Sequence, residues 1–533
     1  MTYDVAIAGY GPTGMLAAIL LGRAGHRVVV LERYKTLYNL PRVGIVHDDV
    51  LRMFQEVGCL EKIAPATFFL PLYELANKGN VLLSNEVATN ATHGHPEMTS
   101  IYQPAFEAEL DVLAKAIPNV DVLQGETVVS IDQDSEGVTL ISEGDAGRRT
   151  ARARYAIGAD GGNSFVRRAL GIDYEDLGFD QNWLVIDGRA KRKPRADLPL
   201  LRQFCEPEQP GMTMQMGPEH RRWSFMIFPG ESADEAVKSE NVWRRLQRPE
   251  GATPDEFELI RVVAYKFQSL MARSWHKGRI FLAGDAAHQM PPFLAQGMCS
   301  GFRDAHNIAW KLDLVLKGLA GPGLLDSYET ERRKVGARNV QAAGWAAEGM
   351  FMWQSTWRPE INDPTPEGAK AREESAAATV HNRRVYEMVG VELGYSYAGS
   401  NLIAYEADNI DDWDTLVYTP HARPGVRLPH VWLSDGRPIQ DLLDDGYVLL
   451  DLQGDADTDA LAAAFAERGA PLQVLHLDEP EARAVYDAPL LLLRPDMHVF
   501  WRGDQLPDPE GLAAAATGFA DAPYGVPATA VTV

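Results

Sequence analysis

Two hydrophobic rhythms alternate along this chain, and each change of rhythm marks a structural part. Tyr3–Ala8 is a short apolar run, Met15–Arg23 has helical spacing and stops at Gly25, and Arg27–Leu31 is a second apolar run. Together they predict a βαβ unit. Further strands are predicted at Val128–Ile131, Val138–Ile141 and Tyr155–Gly158, and Arg221–Pro229 and Leu259–Phe267 alternate or run apolar as sheet strands do. The stretch 178–273 therefore reads as a β-rich insert between two halves of a nucleotide-binding domain. Gly301–Leu319 is an amphipathic helix with Phe302, Ala305, Ile308, Ala309, Leu312 and Leu316 on one stripe, and helices continue over Leu324–Val340 and Gly344–Met352.

An Asp-, Pro- and Gly-rich stretch, Asp411–Leu428, marks a boundary. Beyond it come a strand at Tyr447–Leu452, a helix at Thr458–Arg468, and strands at Leu472–Leu477, Leu490–Leu493 and His498–Arg502. A last helix follows Pro509. The expected division is 1–177, 178–273, 274–410 and 411–533.

A chain of 533 residues exceeds one core, and 46% hydrophobic with 23% charged residues is an ordinary globular balance. The net charge of −23 argues against nucleic acid or an anionic membrane as partner. Arg189–Arg195 is a basic exception, read as a solvated hairpin tip. Cys59, Cys205 and Cys299 lack paired spacing, so neither disulfides nor a metal site is expected. No stretch approaches the ~20 apolar residues of a membrane span. Met15–Leu21 lacks the basic flank of a signal segment. A soluble, cytoplasmic protein is the expectation.

Three glycine-bearing motifs change the picture. Gly9-Tyr-Gly11-Pro12-Thr13-Gly14 stands between a strand and a helix, where its glycines allow a tight turn, approach to a pyrophosphate, and close helix packing. Glu32 closes the second strand and can accept hydrogen bonds from a ribose. This motif leaves FAD and NAD both open. Tyr155–Arg167 is a strand ending in Asp160-Gly161, followed by a turn with Ser164 and Arg167. Gly278–Lys311 holds a strand ending in Gly284-Asp285, then Pro291-Pro292 and Gln296-Gly297-Met298 at the opening of a helix. That order offers a carboxylate for sugar or ribityl hydroxyls and N–H groups at a helix start.

In this order the motifs resemble the class A FAD-dependent aromatic hydroxylases, a family of flavoprotein monooxygenases. Pro41-Arg42 with Leu51–Gln55, and Tyr102-Gln103-Pro104 with Glu107, are further matches to the family, and Arg221–Met226 with Pro229-Gly230-Glu231 looks most like its 3-(3-hydroxyphenyl)propionate hydroxylase branch. The resemblance covers Tyr3–Val340 well. It implies an α/β fold: a Rossmann-like FAD-binding domain with an inserted β-sheet substrate domain, of p-hydroxybenzoate hydroxylase type. The terminal unit resembles the thioredoxin-like domain of phenol-hydroxylase relatives, with Ala488-Pro489 where thioredoxins carry a cis-proline. It holds no cysteine, which rules out thiol exchange there.

The resemblance further implies that Gly9, Gly11, Pro12, Thr13, Gly14, Glu32, Arg33, Arg42, Gln103 and Val128 hold the ADP half and ribityl chain of FAD. Asp160 is expected near the pyrophosphate and Gly284-Asp285 at the ribityl hydroxyls. Pro292, Gly297 and Met298 are expected along the isoalloxazine, the last two offering N–H groups to its N1–C2=O edge. The implied activity is hydroxylation of a phenolic aromatic compound with NADH or NADPH and O2, through a flavin C4a-hydroperoxide, in a homodimer. Oxidation of a polyketide, antibiotic or ketone, and a reductase that does not activate O2, remain alternatives.

His47 stands where that branch carries a carboxylate. It is the candidate base for a phenol, with an inert loop histidine as the alternative. His288 is read as a structural turn residue. Strand alternation suggests Gln215, Trp223 and Phe225 at the substrate, although core packing competes for the two aromatics.

Overall fold

A computed structural model describes residues 2–89, 92–321, 323–349, 351–380, 387, 389–406, 415–454, 456–520 and 524–525. Strand Thr2–Ala8 is apolar because it lies at the middle of a sheet covered on both faces, with Val5, Ala6 and Ile7 fully buried. It runs parallel between Val28–Glu32 and Gly147–Gly158. Gly147–Gly158 in turn pairs in parallel with Ile280–Leu282, which lies beyond the insert in sequence. Helix Pro12–Arg23 buries Met15–Ile19 and packs along helix Gln296–Lys317, so the two halves of the chain share one core.

The second sheet has eight strands, in the order His288–Gln289, Phe257–Ala272, Tyr174–Ala190, His220–Met226, Gly211–Met216, Leu201–Phe204, Leu72–Asn77, Asn80–Glu86. It is wider than 178–273, because the hairpin 72–86 joins its edge from the first segment. Lys78 and Gly79, both left-handed at φ 45° and 85°, make that hairpin's turn. Helix Ser239–Glu250 covers the outer face, its Val242 and Leu246 packed with Trp223 and Phe225. In the basic stretch, Arg189 pairs with Glu258 at 2.7 Å and Arg195 with Glu256 at 3.0 Å.

The terminal unit is a four-stranded sheet in the order Leu472–His476, Tyr447–Asp451, Leu490–Leu493, Val499–Gly503. The first pair is parallel and the others antiparallel, as a thioredoxin-like unit requires. No cis peptide occurs among the described residues, so Ala488–Pro489 is trans. Leu314 and Leu324 share a cluster with Tyr447, Leu449 and Phe500, which docks this unit on the helices. The expected boundary at 410/411 falls within 407–414, outside the described residues. No described helix is long and apolar enough to cross a membrane.

Candidate functional site

The three motifs meet because their strands are neighbours ending at one level. Ala8, Gly158 and Leu282 stand in register, and the chain beyond each turns into the same crevice. Ala159 N–H donates to Ala8 O at 2.8 Å and Ala283 N–H to Gly158 O at 3.0 Å. Gly9, at φ 100°, lies so close to the second motif that a Cβ there would sit 2.3 Å from Ala159 O. A Cβ on Gly14 would sit 2.2 Å from Gly9 O, whereas one on Gly11 would meet nothing within 4 Å. Helix Pro12–Arg23 starts without a side-chain cap. Open space before an uncapped helix start fits a diphosphate. Thr13 wedges between the halves: a Cβ on Gly284 or Gly301 would lie 2.8 or 2.4 Å from its Oγ1.

At the end of strand Val28–Glu32, Glu32 accepts the N–H of Tyr10 at 2.7 Å and of Tyr34 at 2.9 Å, which fixes its carboxylate there. Arg33 is exposed, 4.8 Å from the Tyr34 ring centre. Gln103 Oε1 accepts from the N–H of Arg42 at 2.8 Å and of Val43 at 2.7 Å, so it shapes the backbone that carries Arg42. The Arg42 guanidinium lies over Tyr38. Val128 is partly buried on Thr127–Gln133, against the first core. The Asp160 carboxylate accepts from the Ser164 hydroxyl and from Val166 N–H at 3.0 Å. Burial raises its pKa against those bonds, and it braces the 160–166 turn.

Asp285 lies at the floor of the crevice. Solvent reaches it, yet protein surrounds it closely enough that burial raises its pKa against the pull of His288 and Arg42. The loop behind it is tied down by Asp304, which accepts from Gly284 N–H at 3.0 Å, His288 Nε2 at 2.8 Å and Arg332 Nε at 2.9 Å. His288 thus shapes the turn. Sequence reasoning missed Asp304 and Arg332. The available signal was a charged pair, Arg303-Asp304, lodged between the apolar stripe residues Phe302 and Ala305.

Before helix Gln296–Lys317 and in its first turn, Pro292 is exposed and Gly297 nearly open, with only Met290 near a Cβ placed there. Met298 is buried in the first core. Between them, Leu294 (φ 64°) and Ala295 (φ 52°) are both left-handed, which costs about 1–3 kcal/mol per non-glycine residue. A buried network holds them. Leu294 O accepts from His47 Nε2 at 3.1 Å and Gln296 Nε2 at 3.2 Å. Gln296 Oε1 accepts from Arg303 at 2.9 Å, and Arg303 binds both oxygens of Asp49 at 2.6 and 2.9 Å. Burial works against the charge on Asp49, but Arg303 outweighs it and holds the carboxyl well below its usual range.

His47 Nδ1 lies 2.7 Å from Glu392, and both side chains are buried. Burial alone would lower the His47 pKa; the adjacent Glu392 carboxylate outweighs this and raises it. The ring nitrogen facing Leu294 O must carry a hydrogen, and the other nitrogen faces the Glu392 carboxylate. Both ring nitrogens of His47 thus face protein groups, Leu294 O and Glu392, in the side chain's buried position. Glu392 was not foreseen; nothing local distinguishes it.

Strand parity places the residues expected on the substrate side. Directly paired residues of antiparallel strands share a face. Trp223 pairs with Ile186 and Thr213, and Phe225 with Leu184 and Gly211. This face turns away from the crevice into the core under helix Ser239–Glu250. Gln215 shares it through Arg221, and its amide donates to Gly217 O and Pro218 O. The inner face carries Trp183, Met214, Met226 and Phe267, in one cluster with Phe293 and Leu294. The Phe293 ring centre lies 5.6 Å from Trp183, 6.3 Å from Phe267 and 6.4 Å from Phe179.

A dinucleotide crevice with a Gly-Asp loop, roofed by a second sheet, defines a flavoprotein of the Rossmann-like class. Residues 2–343 match the family described as FAD binding domain, and the chain belongs to it. Residues 421–523 match the aromatic-ring hydroxylase C-terminal domain. The chain is 45% identical over 332 residues to a protein of Rhodococcus jostii (strain RHA1) named probable NADH-specific resorcinol 4-hydroxylase; the match covers 62% of each. It is 39% identical over 334 residues to the 3-(3-hydroxy-phenyl)propionate/3-hydroxycinnamic acid hydroxylase of Paraburkholderia xenovorans (strain LB400), covering 62% of this chain and 53% of that one. These matches span less than two thirds of either relative's length.

Among solved structures, the rebeccamycin biosynthetic enzyme RebC with reduced flavin aligns at TM-score 0.84 and 27% identity, over 98% of this chain and 99% of that one. The flavin-dependent monooxygenase PieE in complex with FAD and substrate aligns at 0.86 and 25%, over 97% and 98%.

Proposed function

We propose that this protein is an FAD-dependent monooxygenase that hydroxylates a phenolic aromatic compound with NADH and O2, as a cytoplasmic homodimer. The supporting observation is that the Gly-Asp loop and the 292–298 turn lie beneath the aromatic inner face around Phe293. The matches to a resorcinol hydroxylase and to hydroxyphenylpropionate hydroxylases favour a small phenol. Bound FAD supplies the oxygen activation. The chain's own residues do the rest: Gly11 and the helix start at Pro12 receive the diphosphate, Glu32 the ribose, and Asp285 the ribityl hydroxyls. Pro292, Gly297 and Met298 flank the ring. Trp183, Phe267 and Phe293 exclude water and give a flat substrate aromatic neighbours.

The test is oxygen uptake by the yellow holoprotein with NADH, with and without resorcinol or 3-(3-hydroxyphenyl)propionate. Uptake that rises with a phenol and yields about one hydroxylated product per NADH is expected; no phenol-dependent uptake rejects the reading. Asp285→Ala should weaken FAD binding by about 10- to 100-fold, the weight of a hydrogen bond to a charged group. Full flavin occupancy in that variant at limiting FAD would refute the site assignment.

A further inference from the structure

We propose that His47 and Glu392 form a positioning pair that locks the left-handed turn at Leu294–Ala295, and thereby aims the N–H groups at the start of helix Gln296–Lys317 toward the flavin ring. The inference rests on the reading that the ring of FAD lies against residues 292–298.

Glycine adopts a left-handed backbone freely, while leucine and alanine do not. Two of the latter in succession persist only where surrounding contacts over-determine them. Here His47 and Gln296 both grip the Leu294 carbonyl. Asp49, two residues from His47, holds Arg303, which holds Gln296. Glu392 completes the grip on the opposite ring nitrogen of His47. It arrives on the short helix Val389–Leu393, whose backbone is fixed by Arg338: its guanidinium donates to Val391 O at 2.9 Å, Gly390 O at 2.7 Å and Gly394 O at 3.0 Å. A path of direct contacts thus runs from helix Gly323–Gly349 through Glu392 and His47 to the turn. The helix that follows begins without a side-chain cap, so its first N–H groups are available and carry the positive end of its dipole. Tilting the turn would turn that field away from negative charge on a reduced ring.

The experiment compares His47→Leu, which keeps bulk and removes the donor, with His47→Gln, which keeps an N–H for Leu294 O. Each is read by FAD dissociation constant, by the visible absorbance of the bound flavin and by its reduction potential. His47→Leu should weaken FAD binding about tenfold or more, make the potential more negative and shift the absorbance band. His47→Gln should stay within about threefold of wild type, since its donor persists. Adding Leu294→Gly and Ala295→Gly to His47→Leu should restore affinity and potential, because glycine needs no lock; a residue serving packing alone would gain nothing from those glycines. Wild-type affinity and potential in His47→Leu, or no restoration by the glycines, overturns the proposal. If His47→Leu does not fold, the glycine-bearing variant decides alone: recovery of folded, FAD-binding protein supports the lock, and failure to recover overturns it. A wild-type protein that binds no FAD would instead refute the function proposed above, which keeps the two failures apart.

Discussion

Trp223 and Met226 lie on one strand and face opposite sides of it, and this parity decides what each can do. Trp223 is buried against Phe257, with its indole N–H donated to Glu250 at 2.7 Å. Trp223→Leu should lower stability by about 1–3 kcal/mol, as core substitutions that lose volume do, while the KM for the aromatic substrate stays unchanged. Phe267→Ala on the inner face should raise that KM severalfold. Urea unfolding and steady-state kinetics on both variants check the assignment; a KM effect confined to Trp223→Leu would reverse the faces. The sequence could not settle this, because alternation puts Trp223 and Phe225 on one face but does not say which face meets the crevice. The glycine motifs were legible because each works locally, through a turn or a close approach within a few residues. Glu392 was not, since its partner His47 lies more than three hundred positions away and only the fold brings them together.

At the scale of elements, the buried charges between helices Gln296–Lys317 and Gly323–Gly349 behave as one device. Glu331 accepts from Lys311 at 2.7 Å, from Arg494 at 2.7 and 2.8 Å, and from Asn307 and Ser400. Burial works against its charge, but Arg494 and Lys311 outweigh it and hold its pKa at about 2. Lys311 itself is lowered to about 8, burial outweighing its share of Glu331. Both pKa values fall, which favours the charge on Glu331 and disfavours that on Lys311; we take Arg494 as the main partner, since it engages both carboxylate oxygens. A carboxyl depressed on folding stabilises above its unfolded pKa near 4.5 and loses that contribution as pH falls toward 2. Glu331→Gln should therefore cost about 3–5 kcal/mol at pH 7, and the deficit against wild type should narrow below about pH 4.5. Urea midpoints at several pH values measure this, and a deficit constant with pH would rule it out. The helices were readable from their apolar stripe, but their buried charges were not: each sits at a position that a surface pattern would also permit.

At the scale of the whole molecule, the terminal sheet is bound to the flavin-binding body by both charge and apolar packing. Arg494 reaches Glu331, Arg52 reaches Asp441, and Arg427 Nε donates to His93, whose other nitrogen faces Asp48 at 3.3 Å. Asp48 and Asp49 open the helix whose preceding residue is His47, so the same short segment meets both the terminal unit and the cofactor turn. Leu314 and Leu324 extend the helical core into the terminal sheet. Parting the two bodies would take Arg494 from Glu331 and Asp441 from Arg52, and a buried charge stripped of its partner costs more than the pair contributes. The terminal unit should therefore not unfold separately while FAD stays bound. Calorimetry of the holoprotein should give one main transition, coincident with the rise in flavin fluorescence on release and with the tryptophan signal. Two resolved transitions, the earlier one without flavin release, would show instead that the terminal unit is an independent appendage, with its buried ion pairs too weak to couple it to the cofactor site.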